Sequence, residues 1–307
     1  MYKFNRILVG LDNTEIDKDL IEAASKLCDL SNTKEVFFIN VIKDFDLPDA
    51  LKKEFPDLVT RAIKERKLAL QKSVDKYFNY KEAHVAVNVL VDQGSVTKTL
   101  LKISAKEKAD LFILGRKNEK KAGVLVTRIA RRALCSLLIL PKNKKLTFNN
   151  FLVPTDFSEY SRNAMDKAVS LARRAGAETK LTVQNVYQVP TGYHYAGKSF
   201  DEFGQIMKEN AEKDHNRFMT HFDTSGININ SIYSLDKDDD LIGMIVKEAK
   251  KNHSDLIIVG AKGRTATVAL FIGSKAERLV QINEDVPMLV IRPKGKGAGL
   301  FDYLKDL

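Results

Sequence analysis

The chain has 307 residues, 44% of them hydrophobic and 29% charged, with a formal net charge of +10 and a mean hydropathy of −0.24. The length suggests two domains, no apolar run approaches the ~20 residues that cross a bilayer, and MYKFNRILVGLD runs straight into a strand pattern, so no signal peptide is expected. Cys28 and Cys135, far apart in sequence, exclude a disulfide framework or a cysteine metal site and suit a reducing cytoplasm. The lysines are spread through both halves with no nucleic-acid-reading motif, so the charge reads as a solvated basic surface.

In chain order, residues 6–12 (RILVGLD) predict a buried strand, and a helix follows over roughly Glu15 to Leu30. Val36 to Val41 predict the second strand. Pro56 suits a first helical turn, and a long helix to about Phe78 would turn Leu58, Val59, Ala62 and Ile63 inward. His84 to Val91 alternate as a strand. Val96 to Lys106 predict a helix, 110–115 a strand, and a last helix precedes the strand Leu137 to Leu140. After the polar stretch Lys142-Asn143-Lys144-Lys145 the order repeats. Residues 151–156 (FLVPTD) form a strand, and a helix near Ser158 to Arg174 ends at Gly176. Lys180 to Val186 are the next strand, followed by an insert from Tyr187 to Lys198. Ser199 and Glu202 form a capping box for a helix to about His221. Ile227, Ile229 and Ile232 mark a strand, Leu241 to Ala249 a helix, and Leu256 to Val259 and Met288 to Ile291 the last two strands.

Asp12 and Asp156 lie 144 positions apart, and DLFILG at 110–115 matches DLIIVG at 255–260 at an offset of 145. Two matches at nearly one offset indicate an internal duplication. The expected boundaries are a first domain at 1–145, a second at 146–294 and a flexible tail at 295–307. Each copy reads β-α-β-α-β-α-β-α-β, which predicts an α/β fold with an open, mostly parallel sheet.

The second copy carries GAKGRTATVALFIGS from Gly260 to Ser274, placed between a strand and a helix. Glycines there allow close backbone approach, and the helix N-terminus favours an anion such as a phosphate. Ser274 adds a hydroxyl. The stretch is neither a P-loop nor a dinucleotide fingerprint. Asp156, Val186 and Gly260 all fall at strand carboxyl ends, where open parallel sheets bind ligands. Alone, Asp156 reads as a helix N-terminal or turn aspartate, and the downstream glycine motif turns that reading toward a site.

The spacing G-x2-G-x9-G-S resembles the nucleotide-binding motif of the ATP-binding branch of the universal stress protein family. The likeness extends over about residues 4 to 293. It implies two tandem Rossmann-like domains of the adenine nucleotide alpha hydrolase type, each with a five-stranded sheet flanked by helices. It implies ATP, with Mg2+ as its companion cation, in the second domain. Pro154, Thr155 and Asp156 would sit on the ribose or adenine side, and the Val186 backbone would read the adenine edge. Gly260, Gly263, Gly273 and Ser274 would cradle phosphate. Lys262 and Arg264 either neutralise phosphate charge or are solvated loop charges. A cytoplasmic stress-response sensor or regulator is implied, with pairing of the two domains, a homodimer or a protein partner as the assemblies. Slow ATP hydrolysis and a nucleotide-independent scaffold are the rival readings.

In the first copy Asp12 and Gly115 match Asp156 and Gly260, but Asn118 stands where Gly263 does and Val124 where Ser274 does. Weak or no ATP binding is expected there. Arg116, Lys117, Lys120, Lys121, Arg128, Arg131 and Arg132 gather in this region and read as an exposed basic face. No histidine or cysteine spacing suggests a metal site, and no general base stands beside the loop. No catalytic residue is therefore expected.

Overall fold

The computed structural model describes residues 4–43, 53–55, 57–80, 85–117, 122–263 and 272–293. The chain divides between Lys145 and Leu146 into two compact units. The tail at 295–307, Pro56 and His84 lie outside the described residues.

The first unit runs β1 (Arg6–Leu11), α1 (Ile16–Ser31), β2 (Glu35–Ile42), α2 (Leu58–Tyr77), β3 (Ala86–Gln93), α3 (Val96–Lys106), β4 (Leu111–Arg116), α4 (Ala122–Arg132) and β5 (Ser136–Pro141). Its strands lie in the order β3-β2-β1-β4-β5, all parallel. The second unit runs β6 (Asn150–Pro154), α5 (Glu159–Ala175), β7 (Lys180–Tyr187), a 3-10 turn (Tyr193–Ala196), α6 (Phe200–Met219), β8 (Asn228–Leu235), α7 (Leu241–Lys251), β9 (Leu256–Gly260), α8 (Ser274–Ile282) and β10 (Met288–Ile291). Its order is β8-β7-β6-β9-β10, again all parallel. Both are open α/β sheets flanked by helices, as the alternation of strand and helix signals requires.

The central strands are apolar on both faces because helices cover both. Ile7, Leu8, Val9, Phe112 and Ile113 in one unit, and Leu152, Val153, Ile257 and Ile258 in the other, are fully buried or nearly so. Cutting one such leucine to alanine costs about 2–5 kcal/mol. Helix boundaries follow local chemistry. The Ser158 hydroxyl accepts the Ser161 N–H at the start of α5, and Gly176 ends that helix with a φ of 122°. Ser199 and Glu202 make the reciprocal capping box of α6.

Helix α2 departs from expectation. Leu58 is exposed and Val59, Ala62 and Ile63 are half-buried, whereas Leu70 and Val74 are its buried residues. The helix is anchored through its C-terminal half, where the Phe78 ring meets Phe38 edge-on at 5.4 Å. Among the described residues, no helix is long and apolar enough to cross a membrane.

Candidate functional site

In the second unit β7 and β9 flank β6 on opposite sides, so the sheet's growth reverses between β6 and β9, and ligands of open α/β sheets bind at such a reversal. Thr155 leaves β6 under tight control. Its N–H donates to the Gln184 carbonyl at 2.8 Å, and its own carbonyl accepts from Asn185 Nδ2 at 2.9 Å. Its Oγ1 accepts the Phe157 N–H at 3.0 Å. Phe157 takes a left-handed φ of 62°, with its ring against those of His215 and Phe218. This turn aims Asp156. Asp156 Oδ1 accepts the Ser158 N–H at 3.1 Å and the Ser161 hydroxyl at 2.6 Å, while a β-carbon added to Gly263 would fall 2.6 Å from Oδ2. One Asp156 oxygen thus holds the turn and the other faces Gly263.

The glycines divide the work. At Gly260 a β-carbon would meet the Tyr160 carbonyl oxygen at 2.6 Å, so this glycine lets β9 pass against the first turn of α5. Gly273 donates its N–H to the Ala261 carbonyl at 2.7 Å and lies against the Lys262 Cα. That bond ties the two ends of the loop together. Gly273 is also the N-cap of α8, and it brings no side chain to cap the first-turn N–H groups. Ser274 opens α8 and is exposed. Residues 264–271, Arg264 among them, lie outside the described residues.

Lys262 is not a solvated loop charge. It is 6% exposed, its Nζ has no hydrogen-bond partner among the described residues, and it lies 5.9 Å from the Tyr160 ring centre. Burial, and then the charge of Arg292, lower its pKa. Arg292, just past β10, is buried as well. The site therefore gathers two buried cations near an uncapped helix N-terminus, which suits an anion. Among the described residues no cluster of acids, histidines and cysteines could hold a metal by itself.

Val186 sits one residue before the end of β7 and pairs with Ser234 of β8. Backbone groups of a parallel strand alternate sides, and the Gln184 carbonyl faces β6. The N–H and C=O of Val186 therefore also turn toward the β6 side, beyond Pro154, where β6 stops pairing. Pro154 is half-buried and closes that ladder.

The first unit builds the same rim differently. The Lys117 Nζ lies 2.5 Å from Asp12 Oδ2. The Asp12 and Asn13 N–H groups donate to the Asp17 carboxylate at 3.1 and 2.7 Å. Burial first, with the Asp12 charge adding to it, pushes the Asp17 pKa up to about 6. The expected exposed basic face is only partly present: Arg116 is buried at 4% exposure, because as the last residue of β4 it turns inward toward Gly123. Lys117 is engaged by Asp12. Arg128, Arg131 and Arg132 are exposed, and Asn118, Lys120 and Lys121 lie outside the described residues.

The universal stress protein family model matches residues 3–141 and again 147–292. The chain belongs to the universal stress protein family, in tandem form. A universal stress protein of Methanocaldococcus jannaschii is 26% identical over 162 residues, which is 50% of this chain and 88% of that protein. One from Bacillus subtilis is 27% identical over 151 residues, 47% of this chain and 99% of that one. The crystal structure of a universal stress protein from Archaeoglobus fulgidus shares the fold, with a TM-score of 0.64 at 17% identity over 95% of this chain and 99% of that one. A putative universal stress protein from Pseudomonas aeruginosa shares it at a TM-score of 0.60 and 15% identity, over 99% and 96% of the two chains.

Sequence reasoning missed three participants in this universal stress protein site: Asn185, Ser161 and Arg292. Asn185 had a signal. It interrupts an apolar strand, and Asn40 does the same 145 positions earlier, donating to the Leu11 carbonyl at 2.8 Å. A polar residue repeated inside both second strands marks a shared support for the turn after the first strand. Ser161 and Arg292 carry no such pattern.

Proposed function

We propose that the second unit binds ATP and that its occupancy is a stress-response signal read by a protein partner. The observation that carries this is Lys262, a buried cation with no hydrogen-bond partner among the described residues, beside Gly263, Gly273 and the uncapped start of α8. Leaving a charged donor unpaired and buried is costly, and an anionic ligand removes that cost. Phosphate oxygens would be taken by Lys262, Gly273 and Ser274, with Gly260 and Gly263 keeping the backbone close. Asp156 and Thr155 would face the ribose, and the Val186 backbone and Pro154 would meet the base. Arg264 belongs to the same loop by sequence. Mg2+ would arrive on the triphosphate rather than on a preformed protein cluster. Both cysteines are buried and form no disulfide among the described residues, which suits the cytoplasm.

The test is nucleotide content. The purified chain is heat-denatured and the supernatant resolved by anion exchange, beside a Lys262→Met variant. About one adenine nucleotide per chain, with ATP exceeding ADP and most of it lost in the variant, is expected of a sensor. A wild-type chain that retains nothing and takes up no ATP at about millimolar concentration contradicts the proposal.

A further inference from the structure

A second buried polar group near this rim is left unsatisfied, at the opposite end from Lys262. Gln184 stands in β7 between Val183 and Asn185 and is 1% exposed. Its Nε2 donates to Ser234 Oγ at 3.2 Å, but its Oε1 has no hydrogen-bond partner among the described residues. An apolar side chain would fill the same space without orphaning an acceptor.

Placement gives this acceptor a use. Odd-numbered residues of β7 and β8 face α6, since Ser231 and Tyr233 of β8 meet His215 of α6 and Asn185 of β7 pairs with Tyr233. The even-numbered Gln184, Val186 and Ser234 therefore project to the other face, where α7 packs on β7 and on α8. That is the face from which α8 presents its N-terminus. Ser234 is level with Val186 in the strand register, so the Gln184 amide has reached along β7 to the height of Val186. Resting on the reading of this crevice as a nucleotide site, we propose that Gln184 is its base-specificity residue. Its Oε1 accepts a hydrogen from the exocyclic amino group of adenine, and Ser234 holds the amide in that orientation. Guanine would bring a carbonyl oxygen to the same place, and two acceptors repel.

The test is calorimetric titration of the nucleotide-stripped full chain with ATP, GTP and inorganic tripolyphosphate, for wild type, Gln184→Met and Ser234→Ala. Methionine is near-isosteric and apolar, so the strand keeps its packing, which a thermal melt checks. Wild type is expected to favour ATP over GTP by roughly tenfold or more. Gln184→Met should bring that ratio close to one without changing tripolyphosphate affinity, and Ser234→Ala should lower it part of the way. An unchanged ratio in Gln184→Met, or a wild-type preference for GTP, overturns the assignment while the ATP site stands. Tripolyphosphate binding without binding of either nucleotide overturns the base-reading end and leaves an anion site. No binding of any of the three overturns both.

Discussion

Each unit carries a lysine two residues after the matching glycine of its fourth strand, Lys117 after Gly115 and Lys262 after Gly260. Lys117 closes onto Asp12 and stays partly in solvent, whereas Lys262 is buried with no hydrogen-bond partner among the described residues. The helices that follow the first strands differ at many positions, one of which bears on this rim. Asp17 in the first unit accepts two backbone N–H groups, while Ser161 in the second donates its hydroxyl to Asp156. Among the described residues, the same backbone thus yields one crevice whose lysine is paired and one whose lysine is not. Under the proposed nucleotide-binding role, capacity for an anion depends on which local partner each lysine finds, more than on the fold.

The comparison breaks most sharply at Gly263. Any β-carbon there meets Asp156 Oδ2, and an aspartate adds like charge beside it. Gly263→Asp should weaken ATP binding by at least about 100-fold in a calorimetric titration, with the thermal stability of the first unit unchanged.

Next in size is an opposition in pH response. Folded Asp17 keeps its proton to about pH 6, whereas the unfolded carboxyl releases it near 3.8. The folded first unit binds more protons between those values, so its stability falls as pH rises through that window, by up to ~3 kcal/mol. Asp17→Ser should remove this slope in denaturant melts taken from pH 4 to 7. In the second unit His215 contributes a slope of the other sign. Burial holds the His215 pKa below its ordinary 6.5, so stability that is complete above that pH is lost as the solution is acidified. His215→Gln should flatten that loss.

A smaller contrast lies in the strand-ending glycines. Gly260→Ala presses on the backbone carbonyl of Tyr160, which cannot move aside, whereas Gly115→Ala meets only the Ile16 side chain, whose end can rotate. Chemical denaturation should show about 2–3 kcal/mol lost at Gly260 and about 1 kcal/mol or less at Gly115.

Much of this was legible in the sequence. The apolar runs around Leu8, Ile113, Leu152 and Ile258 revealed the parallel strands, because burial on both faces leaves no other composition. The repeat of DLFILG as DLIIVG exposed the duplication, and the glycine spacing led to Gly263, which the structure brings against Asp156. What stayed hidden depended on partners remote in sequence. Nothing local shows that Lys117 meets Asp12 or that Arg116 turns inward. Nothing marks Lys262 as buried, or Gln184 as an amide with one end unpaired. The period of α2 identified a face, but not how much of that face would be covered.

The most direct test of the central claim is the number of ATP molecules bound per full-length chain, measured by equilibrium titration for wild type, Lys262→Met and Lys117→Met. The account expects one per chain in wild type and in Lys117→Met, and weakening by roughly tenfold in Lys262→Met. Two sites per chain, or a site weakened by Lys117→Met and indifferent to Lys262→Met, would contradict it.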